Sequence, residues 1–344
     1  MNKGFYYTKK NNLITGRGST AIYLVFINEG IKNFDVLVPG NICYAAVYPV
    51  IASGNNPVFC DVDACSGNIT PEILDSYKTE KTKAVIVPHM YGNHVNELDE
   101  ISEWCKQNKV LLIEDCASSL GSKDKNNIIT GSTGDYVIYS FGHSKIMDLG
   151  DGGLLSSNRD LEKAERALNT LPLQNNEISL LQKRFSDEYR VARYQTGNYK
   201  RIRELMCDDI FLYRINDSEI CFKIKDDGLI DEAVNKHINN YSIYDSILNR
   251  NLQRYHYNEG SVPWRFSLLL DEEIKRRIIH CLLDKQLPVS DWYPNITEMF
   301  MDHKIDLAGV DDMEKSIINF PLDIEEETIR KICFNIDVVT EGLI

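Results

Sequence analysis

Between residues 15 and 157 one pattern recurs: a short β-rich apolar run stops at a polar or turn residue, and a stretch with helical spacing follows. The runs are DVLVP ending at Pro39, PVFCDVD from Pro57, AVIVPH from Ala84, VLLIED ending at Asp115, DYVIYS ending at Ser140 and GGLLSS from Gly152. Helix candidates lie at 19–29, 43–53, 71–77 and 97–107. Near-continuous apolar strands alternating with helices suit a mainly parallel sheet, because both faces of such a sheet are covered. The pattern therefore predicts an α/β fold with three α/β/α layers.

Residues 158–215 are charge-rich and helix-like, without a glycine-rich linker, and read as connecting helices. From about 216 the chain mixes apolar pieces (DSEICFKIK, WRFSLLL, SIINFPLD) with helical stretches near 229–250, 271–285 and from Glu325. A chain of 344 residues exceeds the usual span of one core. The expected division is a large domain over 1–215 and a smaller C-terminal α+β domain over 216–344.

The net charge of −13 argues against partners held by phosphate backbones or anionic lipid, which need clustered Lys and Arg. The polar start MNKGFYYTKKNN has no apolar h-region, and no run approaches the roughly 18 apolar residues of a membrane span. The nine scattered cysteines lack CxxC or zinc-type spacing, and His89 and His94 do not form a HExxH-type pair. Together these point to a soluble, cytoplasmic chain with reduced thiols, no nucleic-acid or membrane partner and no metal site.

In open α/β sheets ligands bind beyond the carboxyl ends of the strands, which draws attention to Asp115 and Ser140. Lys145 follows Ser140 by five residues and precedes a glycine-rich turn in YSFGHSKIMDLGDGGLL. Alone it reads as a solvated turn lysine. A buried carboxylate and a lysine at neighbouring strand ends are, however, the residue types pyridoxal phosphate needs: the carboxylate pairs with the pyridine nitrogen, and the lysine forms an imine with the aldehyde and then carries protons. GRGSTAIYLVF adds glycine and hydroxyl groups before a helix, where N–H groups and the dipole favour an anion. Gly18 and Ser19, with Ser140, are the candidate phosphate cup; Ser19 also reads as a helix N-cap. The same glycines fit a dinucleotide fingerprint with Asp35 as ribose ligand, but KKNNLIT is only weakly strand-like, which ranks that reading lower.

In the order and spacing of GRGSTAIYL, VLVPGNICYAA, PVFCDVD, AVIVPHMYGN, IEDCASSLGS, GSTGDYVIYSF and SKIMDLGDGG, the chain resembles the DegT/StrS family of pyridoxal-phosphate-dependent sugar aminotransferases. The resemblance implies the fold type I aminotransferase architecture, Lys145 as the lysine bound to pyridoxal 5'-phosphate, Asp115 at the pyridine nitrogen, and Gly18, Ser19 and Ser140 at the phosphate. It further implies a homodimer in which Asn198 of GNYKR reaches the neighbouring subunit's site; a helix-surface asparagine is the plain reading. Ser118 stands where the family often has glutamine, Cys43 where a stacking aromatic is common, with Tyr44 adjacent to take over, and Arg17 where a small residue is usual. Arg265 and Trp292 read as substrate contacts or as packing and ion-pair residues. The implied reaction moves an amino group from an amino acid, glutamate foremost, to a keto sugar carried on a nucleotide, in amino sugar or polysaccharide synthesis. Relatives with histidine for the lysine dehydrate sugars; here the aligned residue is Lys145, and His143 lies two positions earlier. A sugar dehydration on the same fold and a catalytically idle regulatory relative are the alternatives.

Overall fold

The computed structural model describes residues 6–341, so the first five residues of the polar N-terminal stretch and the last three of the chain lie outside it. Seven strands form one sheet: β1 (Asn11–Thr15), β2 (Asp35–Pro39), β3 (Asn56–Cys60), β4 (Thr82–Pro88), β5 (Leu111–Asp115), β6 (Tyr136–Ser140) and β7 (Gly153–Ser157). Their order is β1-β7-β6-β5-β4-β2-β3. β7 runs antiparallel to both β1 and β6, while the remaining pairs are parallel, so β7 alone is reversed.

KKNNLIT, only weakly strand-like by its residues, nevertheless supplies β1, paired along its whole length with β7. Its polar residues are tolerated because an edge strand is covered on one side only; pairing overrides its low propensity. Valine, isoleucine and leucine of the inner strands are fully buried, and the helix Gly18–Glu29 packs Ala21, Leu24, Val25 and Phe26 against them. That helix starts at Gly18 with Arg17 as an extended, uncapped N-cap. Ser19 is therefore no N-cap: its hydroxyl donates to the Phe211 carbonyl at 2.9 Å.

In the later half, WRFSLLL and SIINFPLD supply β8 (Arg265–Leu269) and β9 (Ile317–Pro321), an antiparallel pair. DSEICFKIK instead forms a short helix, Ser218–Lys223, capped by Asp217. Tyr244, Phe266, Phe320 and the helix Glu326–Thr340 build a core around the pair. Ile296, Met299, Leu307 and Val310 reach back into the core of the large sheet, so the two halves share packed surface.

The ladder continues past the strand ends on the side where β4, β5 and β6 terminate. The N–H of His89 donates to the Asp115 carbonyl at 3.2 Å, and that of Cys116 to Ile138 at 2.8 Å. Phe141 donates to Gly152 at 2.9 Å, and Gly152 to Gly16 at 2.8 Å. This edge is pinned by Glu114, which is fully buried. Its carboxylate accepts from His89 Nε2 at 3.1 Å, from the N–H groups of Thr133 and Gly134 at 3.1 and 2.7 Å, and from Gly131. Burial alone would raise the Glu114 pKa; the His89 and backbone hydrogen bonds outweigh it and hold the carboxyl below its ordinary 4.5. At the other side of the edge, a Cβ on Gly153 would stand 2.3 Å from the Arg17 carbonyl carbon and 2.7 Å from the Gly18 nitrogen, so only glycine lets β7 approach the start of the first helix.

Glu114→Gln turns one acceptor oxygen into a donor facing N–H groups, and should cost about 2–4 kcal/mol, read as a lower denaturation midpoint at pH 7. Because the folded carboxyl is depressed, its contribution is present above about pH 4.5 and is lost as pH falls further. Wild type should therefore lose stability through that range more steeply than E114Q. Gly153→Ala, blocked by backbone rather than by a movable side chain, should lower the midpoint by about 1–3 kcal/mol; an unchanged midpoint would show that the two segments separate freely.

Candidate active site

A cavity of about 890 Å³ opens beyond the carboxyl ends of β4, β5 and β6. Lys145, Asp115, Ser118, Ser140, Gly18 and Ser19 all line it, as do Cys43 and Tyr44. Residues far apart in the chain thus converge where strand-end reasoning places a ligand.

Lys145 is held by a short turn after β6. Its N–H donates to Gly142 at 3.3 Å, and Asp148 closes the turn by accepting from the N–H groups of Ser144 and Gly150, both at 2.8 Å. Ser144 adopts a left-handed φ of 67°, which redirects the chain so that the lysine enters the cavity. Lys145 Nζ donates to Ser118 Oγ at 3.4 Å. Burial pushes its pKa below the ordinary 10.5; Cys43 and Asp115 oppose the shift, and the Arg265 and Arg17 charges reinforce it. A depressed amine spends more of its time neutral, which a nucleophile and proton carrier requires.

Asp115 ends β5, and the alternation of the strand sends its side chain opposite to that of Glu114. Burial raises its pKa, against the hydrogen bond from the Ala117 N–H at 2.9 Å and the charges of Lys145 and His89. Ser118 also stands close to the phenol of Tyr293, whose pKa is driven up by burial with Ser118 opposing.

At the helix start, a Cβ on Gly18 would lie 3.2 Å from Ser140 Cβ and 3.5 Å from its hydroxyl, so these two positions are in direct apposition. With no side-chain cap, the first-turn N–H groups of this helix remain for an anion. The Ser19 hydroxyl, spent on Phe211, leaves that residue its backbone N–H. Arg17 borders the same end: its guanidinium donates to the Ile210 carbonyl at 2.8 Å and lies 5.6 Å over the Phe211 ring. Tyr44 packs against Phe185 and Tyr189, with centroids 5.2 and 5.1 Å apart.

Asn198 stands apart. It caps the helix Tyr199–Leu205, accepting from the Arg201 N–H at 3.2 Å, and does not line this cavity. His143 is largely exposed beside Asp148. Asp35, the ribose ligand of the dinucleotide reading, begins β2 at the end of the sheet away from the cavity and bonds Asn56 and Thr79. Arg265 and Trp292 both line the cavity.

Several cavity residues had no sequence signal of their own. His89 follows β4, and because its Nδ1 accepts the Val95 N–H at 3.1 Å, its ring proton sits on Nε2 and goes to Glu114. His89, Glu114 and Cys116 bring their ligand atoms within 4.8 Å of one another, a grouping that linear spacing did not reveal; the Glu114 oxygens are engaged by N–H donors. Asp151, in the glycine turn next to Lys145, accepts from the Tyr213 hydroxyl and from Gln174 at 3.0 Å. Trp264 stacks on Tyr293 at 5.6 Å and gives its indole N–H to the Ser144 carbonyl, docking the start of β8 on the lysine turn.

The donor set fits pyridoxal phosphate: an amine tuned toward neutrality for the aldehyde, a buried carboxylate for the pyridine nitrogen, and a glycine–serine cradle that a Cβ would crowd for the phosphate.

Comparison with known proteins bears on the same residues. A 163-residue stretch is 34% identical to a "Pleiotropic regulatory protein" of Geobacillus stearothermophilus, covering 47% of this chain and 43% of that one. A 142-residue stretch is 33% identical to the GDP-perosamine synthase of Escherichia coli O157:H7, covering 41% and 38%. The matched stretches thus span less than half the length of these relatives. Among solved structures, PseC of Helicobacter pylori, an aminotransferase involved in the biosynthesis of pseudoaminic acid, superimposes with a TM-score of 0.76 over 98% of this chain and 88% of its own, at 16% identity, and shares the fold. A single family model spans residues 4–336, and by it the chain belongs to the DegT/DnrJ/EryC1/StrS aminotransferase family.

Proposed function

We propose that the protein transfers an amino group from an amino acid, glutamate foremost, to the ketone of a nucleotide-linked sugar, with pyridoxal phosphate held at Lys145. The observation that carries this reading is the depressed amine of Lys145 in one cavity with Asp115 and the cup at Gly18 and Ser140. Family membership and the likeness to GDP-perosamine synthase support the sugar substrate.

Bound pyridoxal phosphate supplies an electron sink that allows a proton to leave the carbon bearing the amine. The chain's own groups do the rest. Lys145 Nζ, once free, takes a proton from the donor carbon and later returns one to the sugar carbon. Ser118 Oγ is the acceptor that steers Nζ between these positions. Asp115, kept in place by the Ala117 N–H, presents its carboxylate to a cationic ring nitrogen. The uncapped helix start and Ser140 hold the phosphate, and the cavity wall of Tyr44, Trp292 and Tyr293 excludes water. The balance is amino acid plus keto sugar giving keto acid plus amino sugar.

The reading extends to a cofactor-binding unit over 1–215 and a smaller unit over 216–344, and to a cytoplasmic homodimer serving amino sugar or polysaccharide synthesis. Asn198, which caps a helix outside its own chain's cavity, is on this reading the residue that reaches the cavity of a second copy. No helix among the described residues is long and apolar enough to cross a membrane.

Lys145→Ala should lose the yellow colour that bound pyridoxal phosphate gives the wild type, and should lower turnover by roughly a thousand-fold or more. The assay supplies glutamate and a nucleotide-linked keto sugar and measures 2-oxoglutarate. Normal turnover in K145A would refute the role of the lysine; loss of water from the sugar without keto acid would identify a dehydratase, and wild-type protein that stays colourless with added cofactor an idle relative. Because neutral amine is the reactive form and the folded pKa is lowered, capture of the cofactor aldehyde by apoprotein should rise with pH about a midpoint below 10.5. A midpoint at or above that value would contradict the electrostatics of the site.

A further inference from the structure

The cup at the start of the helix Gly18–Glu29 is short of both hydroxyls and charge. Ser19 donates to the Phe211 carbonyl at 2.9 Å, and the Thr20 hydroxyl lies 3.1 Å from the carbonyls of Phe211 and Tyr213, so both side chains are turned to the 210–213 segment and away from an incoming anion. What remains is the uncapped backbone N–H groups and the Ser140 hydroxyl, all of them neutral. A phosphate monoester carries a charge of roughly −1.5 to −2 at pH 7, and enclosing it among neutral donors leaves that charge unbalanced.

Arg17, the residue directly before this helix, lines the same cavity. Of the lysine and arginines there, Arg190 pairs with Asp187 at 3.1 Å and Arg265 with Asp323 at 3.2 Å, while Lys145 is needed at the aldehyde. Arg17 has no carboxylate oxygen within 4.0 Å among the described residues. A guanidinium carries five N–H donors. This one makes a single hydrogen bond, to the Ile210 carbonyl at 2.8 Å, and lies 5.6 Å over the Phe211 ring, contacts that hold the side chain without neutralising it. Its charge acts inside the cavity, on Lys145, Cys43 and Asp151. The unused part of the fork matches two oxygens of a phosphate. We propose that Arg17 is a ligand of the cofactor phosphate, supplying the positive charge that the cup otherwise lacks. The inference rests on the pyridoxal phosphate reading above and adds to it a residue from outside the glycine–serine cradle. It also explains the place of the 210–213 segment, which draws the Ser19 and Thr20 hydroxyls off the cup and holds Arg17 at it; the same segment is tied to Gly16 by a 3.1 Å backbone bond and to the lysine turn through Tyr213 and Asp151.

The test titrates the full chain, freed of cofactor, with pyridoxal phosphate and with pyridoxal, which has no phosphate. Quenching of tryptophan fluorescence reports occupancy, since Trp264 and Trp292 both line the cavity. R17Q should cut the preference for pyridoxal phosphate over pyridoxal by roughly 30-fold. Both compounds meet the same Lys145, so their ratio cancels any change that loss of the Arg17 charge makes in the amine. The affinity of the cofactor-saturated protein for GDP, measured by calorimetry, should stay the same. An unchanged ratio in R17Q overturns the inference, whether neither compound is weakened or both are weakened alike, the second case leaving Arg17 only the task of holding the 210–213 segment. Lost GDP affinity with an unchanged ratio also overturns it and assigns the arginine to the nucleotide. Should R17Q fail to fold, R17M, which keeps the stem beside Phe211, is read by the same ratio. A wild type that binds neither compound overturns the cofactor reading and this inference with it, whereas a wild type that favours the phosphate and is matched by R17Q overturns the inference alone.

Discussion

The cavity depends on a carboxylate that does not enter into its chemistry. Glu114, one residue before Asp115, is buried and receives five donors: the His89 imidazole, the Cys116 thiol at 3.8 Å and the N–H groups of Gly131, Thr133 and Gly134. These belong to three different segments: the end of β4, the end of β5 and the loop that leads into β6. An ionised group in such a place is tolerated only if its lone pairs are satisfied, and so the loop and the histidine are fixed wherever the carboxylate is fixed. Asp115, His89 and Ser140, which line the cavity, therefore inherit their positions from a neighbour facing the other side of the strand.

Within that frame the Lys145 amine is set by opposing influences. Burial and the guanidinium groups of Arg17 and Arg265 favour its neutral form, while Cys43 and Asp115 favour its charged one. The two arginines come from opposite ends of the chain: Arg17 precedes the first helix, and Arg265 begins β8. Cys43 puts a small side chain in the cavity with the amine, while the adjacent Tyr44 turns into a cluster with Phe185, Tyr189 and Trp292. The aromatic surface on this side of the cavity is thus built from three segments of the chain.

How much of this was legible depended on how local the signal was. Lys145, Asp115, Ser140 and Gly18 were readable because each follows or ends a strongly apolar run, or opens a helix, and the open-sheet rule then places them together. Glu114 was not, since the two adjacent carboxylates of LLIED differ only in which face of the strand they take, and that is set by register. Ser19 was read as a cap and hydroxyl donor; the Phe211 carbonyl, 192 positions away, took the hydroxyl. The strand at β1 was undervalued because its residues are polar, and its existence comes from pairing with β7. His89 has no local signal beyond a spacing from His94 that matches no metal motif. Tyr293 and Trp264 needed contacts across more than a hundred residues, and Asp323 one with Arg265, for which a single sequence carries no signal.

The wall opposite the strand ends has a comparable anchor. Arg193, in a π-helical turn after the long helix Asn176–Val191, donates to Asp291 at 2.6 Å and to Glu314 at 2.8 Å, and the Tyr194 hydroxyl also donates to Asp291 at 3.1 Å. Asp291 directly precedes Trp292 and Tyr293, an aromatic pair that lines the cavity together with Ser118 and Lys145. Replacing such an ion cluster by apolar groups can leave net stability unchanged, so its contribution lies more in orientation than in energy. Two buried acids, Glu114 on one side and Asp291 on the other, thus fix the separation between the lysine turn and the aromatic wall. The proposed transfer, in which a proton would move between a cofactor and two successive substrates, needs that separation constant, and apolar packing alone, tolerant of small shifts, would hold it less strictly.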